Sequence, residues 1–254
     1  LYAERHLEIM LEAMEITVRS VMKEQPAEKL PRLLVIDTCG DVAVVGLCIG
    51  TRLEARDEMV ARTASAKIIE AIRELLGQAG WHLDDMDAIG VVSGPGSFTG
   101  VRTGLATAKG LCEALGVPLI AVSRLEVLAA AAGPAEFVAL EAGRGEFYVR
   151  SANPLGVPQE FLCGDEGLAN LLTRSVLVVA EEHVRERLAS RLGADSVKTH
   201  ELEISDSIPL ILAGLRSGEQ DIALADANYV RSEQQIYSTA SALPHRAAGA
   251  RRQP

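Results

Sequence analysis

Gly94-Pro95-Gly96-Ser97-Phe98-Thr99-Gly100 is the stretch of this sequence best suited to holding an anion. It follows the apolar run Ala88–Val92 and precedes a helical pattern. Its backbone N–H groups therefore stand at a helix N-terminus, where phosphate binds readily. The loop is not a P-loop, because no Gly-Lys-Ser/Thr closes it. It is not a nucleophile elbow either, because Gly96 directly precedes Ser97. Ser97 or Thr99 suits a helix cap. Asp37 ends another apolar run and opens the turn Asp37-Thr38-Cys39-Gly40-Asp41. A carboxylate there either faces the magnesium ion of a nucleotide or simply shapes the turn. Asp37, Thr38, Gly94, Gly96, Ser97 and Thr99 are thus the candidate nucleotide-site residues. A second polar group, Glu141, Arg144, Glu146 and Tyr148, surrounds Gly143 and Gly145. A Glu–Arg pair there orients an interface if buried and is worth little if solvated.

Other chemistry finds less to work with. His6, His82, His183, His200 and His245 show no pairing at metal-ligand spacing and no H-E-x-x-H. No metal site and no metalloprotease are expected. Cys39, Cys48, Cys112 and Cys163 form no C-x-x-C pair, which suits reduced thiols in a cytoplasmic protein. Asp84 and Asp85 read as solvated carboxylates rather than a hydrolytic pair. The formal net charge of −10 argues against a chain that grips nucleic acid alone, so an RNA role needs a basic partner. No apolar run reaches the roughly 18 residues of a membrane span, and no membrane partner is expected.

The helix after the glycine loop carries a further signal. Leu105, Leu111, Cys112 and Leu115 give it a core side. Gly100, Gly104 and Ala108 recur every fourth residue beside Thr103 and Thr107, a nearly smooth stripe. Glycine inside a helix costs about 1 kcal/mol relative to alanine. Close approach of another backbone offsets that cost. The neighbour is either another element of this chain or a helix of a second molecule; a ligand is a third choice.

Elements that position these residues follow from periodicity. Hydrophobic residues are 48% but aromatics only 4%, so the core must be built from Ala, Leu, Val and Ile. Residues 1–24 place Leu7, Met10, Leu11, Met14, Val18, Val21 and Met22 on one helical stripe, ahead of a proline-broken linker. From Leu33 come three strands, a helix over 63–79, a strand, the glycine loop with its helix, a strand and a helix. Ile68, Ile69, Ile72, Leu75 and Leu76 mark the apolar face of the helix over 63–79, and Gly80 ends it. The order predicts an α/β fold with a mixed sheet flanked by helices. A dinucleotide-binding half would begin strand–helix–strand instead. Beyond it a hairpin turns at Ala142–Gly145, followed by a strand, a helix over 181–193 and a helix from Ile208 with Pro209 in its first turn. The expected partition is 1–32 helical extension and linker, 33–135 first lobe, 136–239 smaller second lobe and 240–254 basic disordered tail.

LLVIDTCGDVAVVGL from Leu33, GPGSFTGVRTGLATAKGLCEALGVPLIAVSRLEVLA from Gly94, EAGRGEFYV from Glu141 and ADANYVR from Ala225 together resemble the bacterial TsaB family, also called YeaZ. The resemblance covers Leu33 to Arg231 and leaves out both ends. It implies the fold of actin, Hsp70 and sugar kinases: two lobes, each on an RNase H-like sheet. It also implies a non-catalytic scaffold that works with TsaD and the ATPase TsaE. That assembly makes N6-threonylcarbamoyladenosine next to the anticodon of tRNAs reading codons that begin with A. ATP and a metal ion are expected in the partner subunits, none is required by this chain, and tRNA is met only through the complex. Older "glycoprotease" labels in the wider family imply no peptidase here. The implied pairing helices, used with TsaD or in a homodimer, are residues 63–79 and 101–115. They carry Ile68, Ile69, Ile72, Leu76, Gly100, Arg102, Thr103, Gly104, Thr107, Ala108 and Leu111. Arg102 resembles the family's arginine at that helix start, Asp37-Thr38 its first-strand pair, and Tyr229-Val230-Arg231 its closing motif. Two positions depart from the pattern. Thr63 or a neighbour stands where a histidine is common, and Gly143 where the second lobe usually reads Asp-Ala-Arg, with Arg144 displaced by one. Both weaken an intrinsic nucleotide site and leave a helix-on-helix scaffold intact. The alternative is a nucleotide-binding protein, small-molecule kinase or ATPase of the same fold.

Overall fold

The computed structural model describes residues 29–133, 135–151, 160–171, 176–218 and 225–228. The chain divides into two units, Leu1–Leu30 and Pro31–Pro254, and the described residues lie almost entirely in the second. The expected helix over 1–24, the tail over 240–254 and the motif Tyr229-Val230-Arg231 lie outside them.

Three strands open the unit as an antiparallel meander: β1 (Arg32–Asp37), β2 (Val42–Ile49) and β3 (Arg52–Val60). Helix α1 (Ala64–Ala79) leads to β4 (Ala88–Val92), which runs parallel to β1. Helix α2 (Phe98–Leu115) leads to β5 (Leu119–Val122), parallel to β4, and then to α3 (Arg124–Ala131). The sheet order is β3-β2-β1-β4-β5. β1 and β4 are near-continuous apolar runs because both faces of the sheet are covered. β3, at the edge, alternates instead and turns Arg52, Glu54, Arg56 and Glu58 outward, charges that discourage further strand pairing.

The second half repeats the plan. β6 (Phe137–Gly143), β7 (Glu146–Ser151) and β8 (Glu160–Gly164) form a meander. They are followed by α4 (Asp165–Leu171), β9 (Leu177–Val179), α5 (Glu182–Leu192), β10 (Val197–Thr199) and α6 (Ile204–Ser217). Read from its meander edge, this sheet is β8-β7-β6-β9-β10, the same order as the first. The chain is thus a structural duplication of one mixed-sheet lobe.

The last helix of each lobe packs on the other lobe's sheet. α3 lies against β6 and β7, and Leu125 and Leu128 share a core with Val138, Leu140 and Val178. α6 lies against the first sheet, where Ile204, Ile208, Ile211 and Leu212 cover Leu33, Val35, Ala88 and Val92. Two glycines let it come close. A side chain at Gly90 would overlap Ile211, and a Cβ at Gly214 would stand 2.7 Å from Ile120 Cγ2. α3 and α6 also touch each other. A linear boundary at 135/136 therefore differs from the packing, because the helix at 204–217 covers the first sheet. α6 also starts four residues before Ile208, at Ile204, because Glu203 and Asp206 form a capping box. Pro209 consequently lies inside the helix rather than in its first turn. No helix among the described residues is long and apolar enough to cross a membrane.

Candidate partner-binding face and interlobe contacts

The glycine loop closes on its own protein. The Ser97 N–H donates to the Cys39 carbonyl at 2.8 Å, and a side chain at Gly96 would overlap that same oxygen. The buried Thr38 hydroxyl donates to the Gly100 carbonyl at 2.6 Å. A Cβ at Gly100 would overlap the Thr38 carbonyl, and one at Gly104 the Thr38 hydroxyl. The stripe that includes Ala108, which is 0% exposed, therefore faces β1 and the turn after it. Close backbone approach is the reason for these glycines, and the neighbour is the same chain. Ser97 Oγ caps α2 by accepting from the Gly100 N–H at 3.3 Å, and Asp37 Oδ1 accepts from the Cys39 N–H at 2.8 Å, shaping the turn. Burial, with the Asp37 charge beside it, holds the Cys39 thiol well above its usual pKa against the pull of Arg124. Cys39 is a packed thiol that donates to the Val92 carbonyl at 3.2 Å.

The expected pairing residues divide by side. Ile68, Ile72 and Leu76 are 2–6% exposed and join Leu34, Ile36, Val45 and Val91 in the lobe's core. They and Gly100, Gly104 and Ala108 are not contact residues of the outer surface. The helical period that marked them as apolar turns them toward the sheet. Thr103, Thr107 and Leu111 are half-buried. Ile69 and Arg102 do face outward, Ile69 at 58% exposure.

The outward apolar residues include three that periodicity did not single out. Phe98 is 58% exposed, and the Arg102 guanidinium stands 3.7 Å from its ring centroid. Val60 and Val42 are 55% and 49% exposed and sit opposite each other across β3 and β2. Parallel pairing of β1 with β4 brings the starts of α1 and α2 to the same end of the sheet as Val42 and Val60. Helical phase places Phe98 in line with Val101 and Leu105, so nothing in the sequence signals its exposure.

Where the lobes meet, charged groups gather. Glu141 on β6 accepts from Arg187 Nη1 at 2.6 Å and lies 3.3 Å from His183 Nε2, both on α5. The pairing with Arg144 does not form. Arg144 occupies the exposed turn at φ 56°, between Gly143 and Gly145, each at φ 77°. Glu146 begins β7 opposite Gly143, and Tyr148 packs beside Leu125 and Leu140. Arg124 on α3 points toward Glu181 before α5, Nη2 to Oε1 4.0 Å. Arg124 Nε and Glu181 Oε2 are buried with no hydrogen-bond partner among the described residues. Burial pushes the Glu181 carboxyl up, against the charges of Arg124 and His183. No cluster of three or more His, Cys, Asp or Glu side chains among the described residues is arranged to hold a metal ion. Arg124, Glu181, His183 and Arg187 were not legible as a group, since they are separated in sequence and follow no motif.

A family model described as TsaD, tRNA N6-adenosine threonylcarbamoyltransferase, matches residues 57–159. An Escherichia coli (strain K12) protein named tRNA threonylcarbamoyladenosine biosynthesis protein TsaB is 34% identical over 122 residues, 46% of this chain and 53% of that protein. Its namesake in Haemophilus influenzae is 37% identical over 100 residues, 39% of this chain and 42% of that protein. The chain thus spans about half the length of the curated relatives it matches. A solved structure of YeaZ from Pseudomonas aeruginosa superposes with a TM-score of 0.63 at 27% identity, covering 79% of this chain and 100% of that one. These likenesses make the chain similar to the TsaB/YeaZ proteins. The segment matched by the TsaD model runs from the middle of β3 through β7, so it includes α1, the glycine loop, α2 and the Glu141 hairpin. The likeness to TsaB/YeaZ proteins fits the two-lobed mixed-sheet fold, and Asp37 and Thr38 lie before the TsaD-matched segment.

Proposed function

We propose that this chain is a non-catalytic scaffold subunit in forming N6-threonylcarbamoyladenosine on tRNA, and that it pairs with a TsaD-like protein. The printed names of the E. coli and H. influenzae relatives support the tRNA-modification role. The observation that carries the pairing is the exposure of Ile69 and Phe98 on adjacent helices α1 and α2, at the sheet end that also exposes Val60. Exposed apolar residues gathered on one surface mark a contact site. Small exposed neighbours, Ala66 on α1 and Ala106 and Gly110 on α2, leave room for a partner helix to come close. In this reading the TsaD-like subunit brings the metal and the transferase chemistry, and a TsaE-like ATPase consumes ATP. Cytoplasmic tRNA is met through the complex. The same face makes a homodimer when the partner is absent. An intrinsic nucleotide site at Asp37 and the glycine loop is disfavoured because the Ser97 N–H is already held by Cys39.

Light scattering of the chain alone and mixed with the TsaD-like protein of the same organism tests the pairing. The expected result is a homodimer alone and a mixed complex with TsaD. Ile69→Glu and Phe98→Glu should each weaken the complex by at least about tenfold, as removal of a central anchor does. Gly104 is not a useful probe, since a larger side chain there strikes Thr38. A wild-type chain that stays monomeric in both samples would overturn the scaffold reading.

A further inference from the structure

We propose that Glu160 is an interlobe latch through which the segment Ala225–Asn228 sets the angle between the two sheets. The inference is independent of the partner and of the reaction. Glu160 begins β8, the edge of the second sheet, and its side chain is 14% exposed. Its Oε1 accepts from the Ser123 hydroxyl at 2.6 Å and from Arg150 Nη1 at 3.0 Å. Its Oε2 accepts from Asn228 Nδ2 at 2.7 Å. One carboxylate therefore collects donors from the end of the first sheet, from the second sheet and from the C-terminal segment.

Each donor is anchored elsewhere. Ser123 follows β5 and caps α3, accepting from the Glu126 N–H at 3.4 Å, and its oxygen also lies 3.2 Å from Asn228 Nδ2. Arg150 on β7 reaches Glu126 of α3 at 3.7 Å. The Asn228 N–H donates to the Ser93 carbonyl, just after β4, at 2.8 Å, while Ala227 packs on the first lobe's core. The larger contact between lobes, through α3 and α6, is mainly apolar, with Arg124 and Glu181 approaching across it to 4.0 Å without a hydrogen bond. Apolar packing is non-directional and tolerates sliding. Charge-assisted hydrogen bonds fix distance and direction, and linked bonds act as one unit. The Glu160 junction thus adds a directional constraint to the mainly apolar packing of the crossed helices.

Spin labels at Arg73→Cys on α1 and Glu186→Cys on α5, in a Cys163→Ser background, report the distance between lobes. The intact chain should give one narrow distribution. Glu160→Ala and Asn228→Ala should each broaden it. Hydrogen exchange at the first turn of α3 should rise by at least about tenfold, the scale of a lost hydrogen bond to a charged group. Asn228→Ala leaves the Ser123 and Arg150 bonds to Glu160 in place, so it remains informative if Glu160→Ala fails to fold. An unchanged distribution in folded Asn228→Ala would overturn the latch. So would broadening accompanied by equal loss of protection throughout α1 and α5, which would mean general loosening.

Discussion

Glu141 and Glu181 flank the start of α5, and their surroundings act on them with opposite signs. Burial raises the pKa of Glu141, but hydrogen bonds from Arg187 and His183, and their charges, outweigh it and hold the carboxyl below its usual value. Its contribution to stability is therefore present above the unfolded carboxylate pKa of about 4.3 and is lost as pH falls through the folded value. Glu181 is held above its usual value, by burial first. Its stabilising form is the protonated one, and that contribution is lost as pH rises through the folded value. Urea midpoints measured from about pH 4 to pH 8 should show Glu141→Gln less stable than wild type at neutral pH, with the gap closing in acid. Glu181→Gln should be more stable at neutral pH, and its gap should also close in acid. Equal shifts at every pH would contradict both assignments. At this scale the sequence displayed Glu141 but not its partners, which lie 42 and 46 residues away. No period or motif links such distant side chains. The glycine stripe was legible as close packing, yet only the position of Thr38 decides which surface it meets.

Helix α6 shows what an element can do outside its own lobe. Ile211 is fully buried and fills the space left by Gly90 on β4. Ile211→Ala should cost about 2–5 kcal/mol, the range for large-to-small changes in a core. The loss should appear in the first lobe, as faster hydrogen exchange in β1 and β4, although the mutation lies after the second sheet. If protection falls only in β6–β10, the crossed packing is wrong. Most elements were legible. β1 and β4 announced themselves as unbroken apolar runs, and α1 and α2 by period, with Gly80 and Gly116 closing them at φ 67°. The exceptions have physical causes. β10 has three residues, too few for a pattern, β8 lacks a clean alternation, and α4 has seven residues with Leu168 alone buried, too short to show a helical stripe. The start of α6 is written in acidic capping residues rather than apolar ones.

At the scale of the molecule, two copies of one lobe exchange their last helices. The repeat was hard to see in the sequence because buried positions need only be apolar, and different residues satisfy that need in each copy. A fragment ending at residue 135 keeps the first sheet but lacks its α6 cover, so it should show no cooperative urea transition. A sharp transition in that fragment would contradict the exchange. The same exchange fixes an order of events at the ribosome. β1 to β5 emerge early, yet the face bearing Leu33, Val35, Ala88 and Val92 stays bare until Ile204–Ser217 has been translated. Throughout that interval the nascent chain offers chaperones an apolar sheet surface, and the half made first is the half finished last.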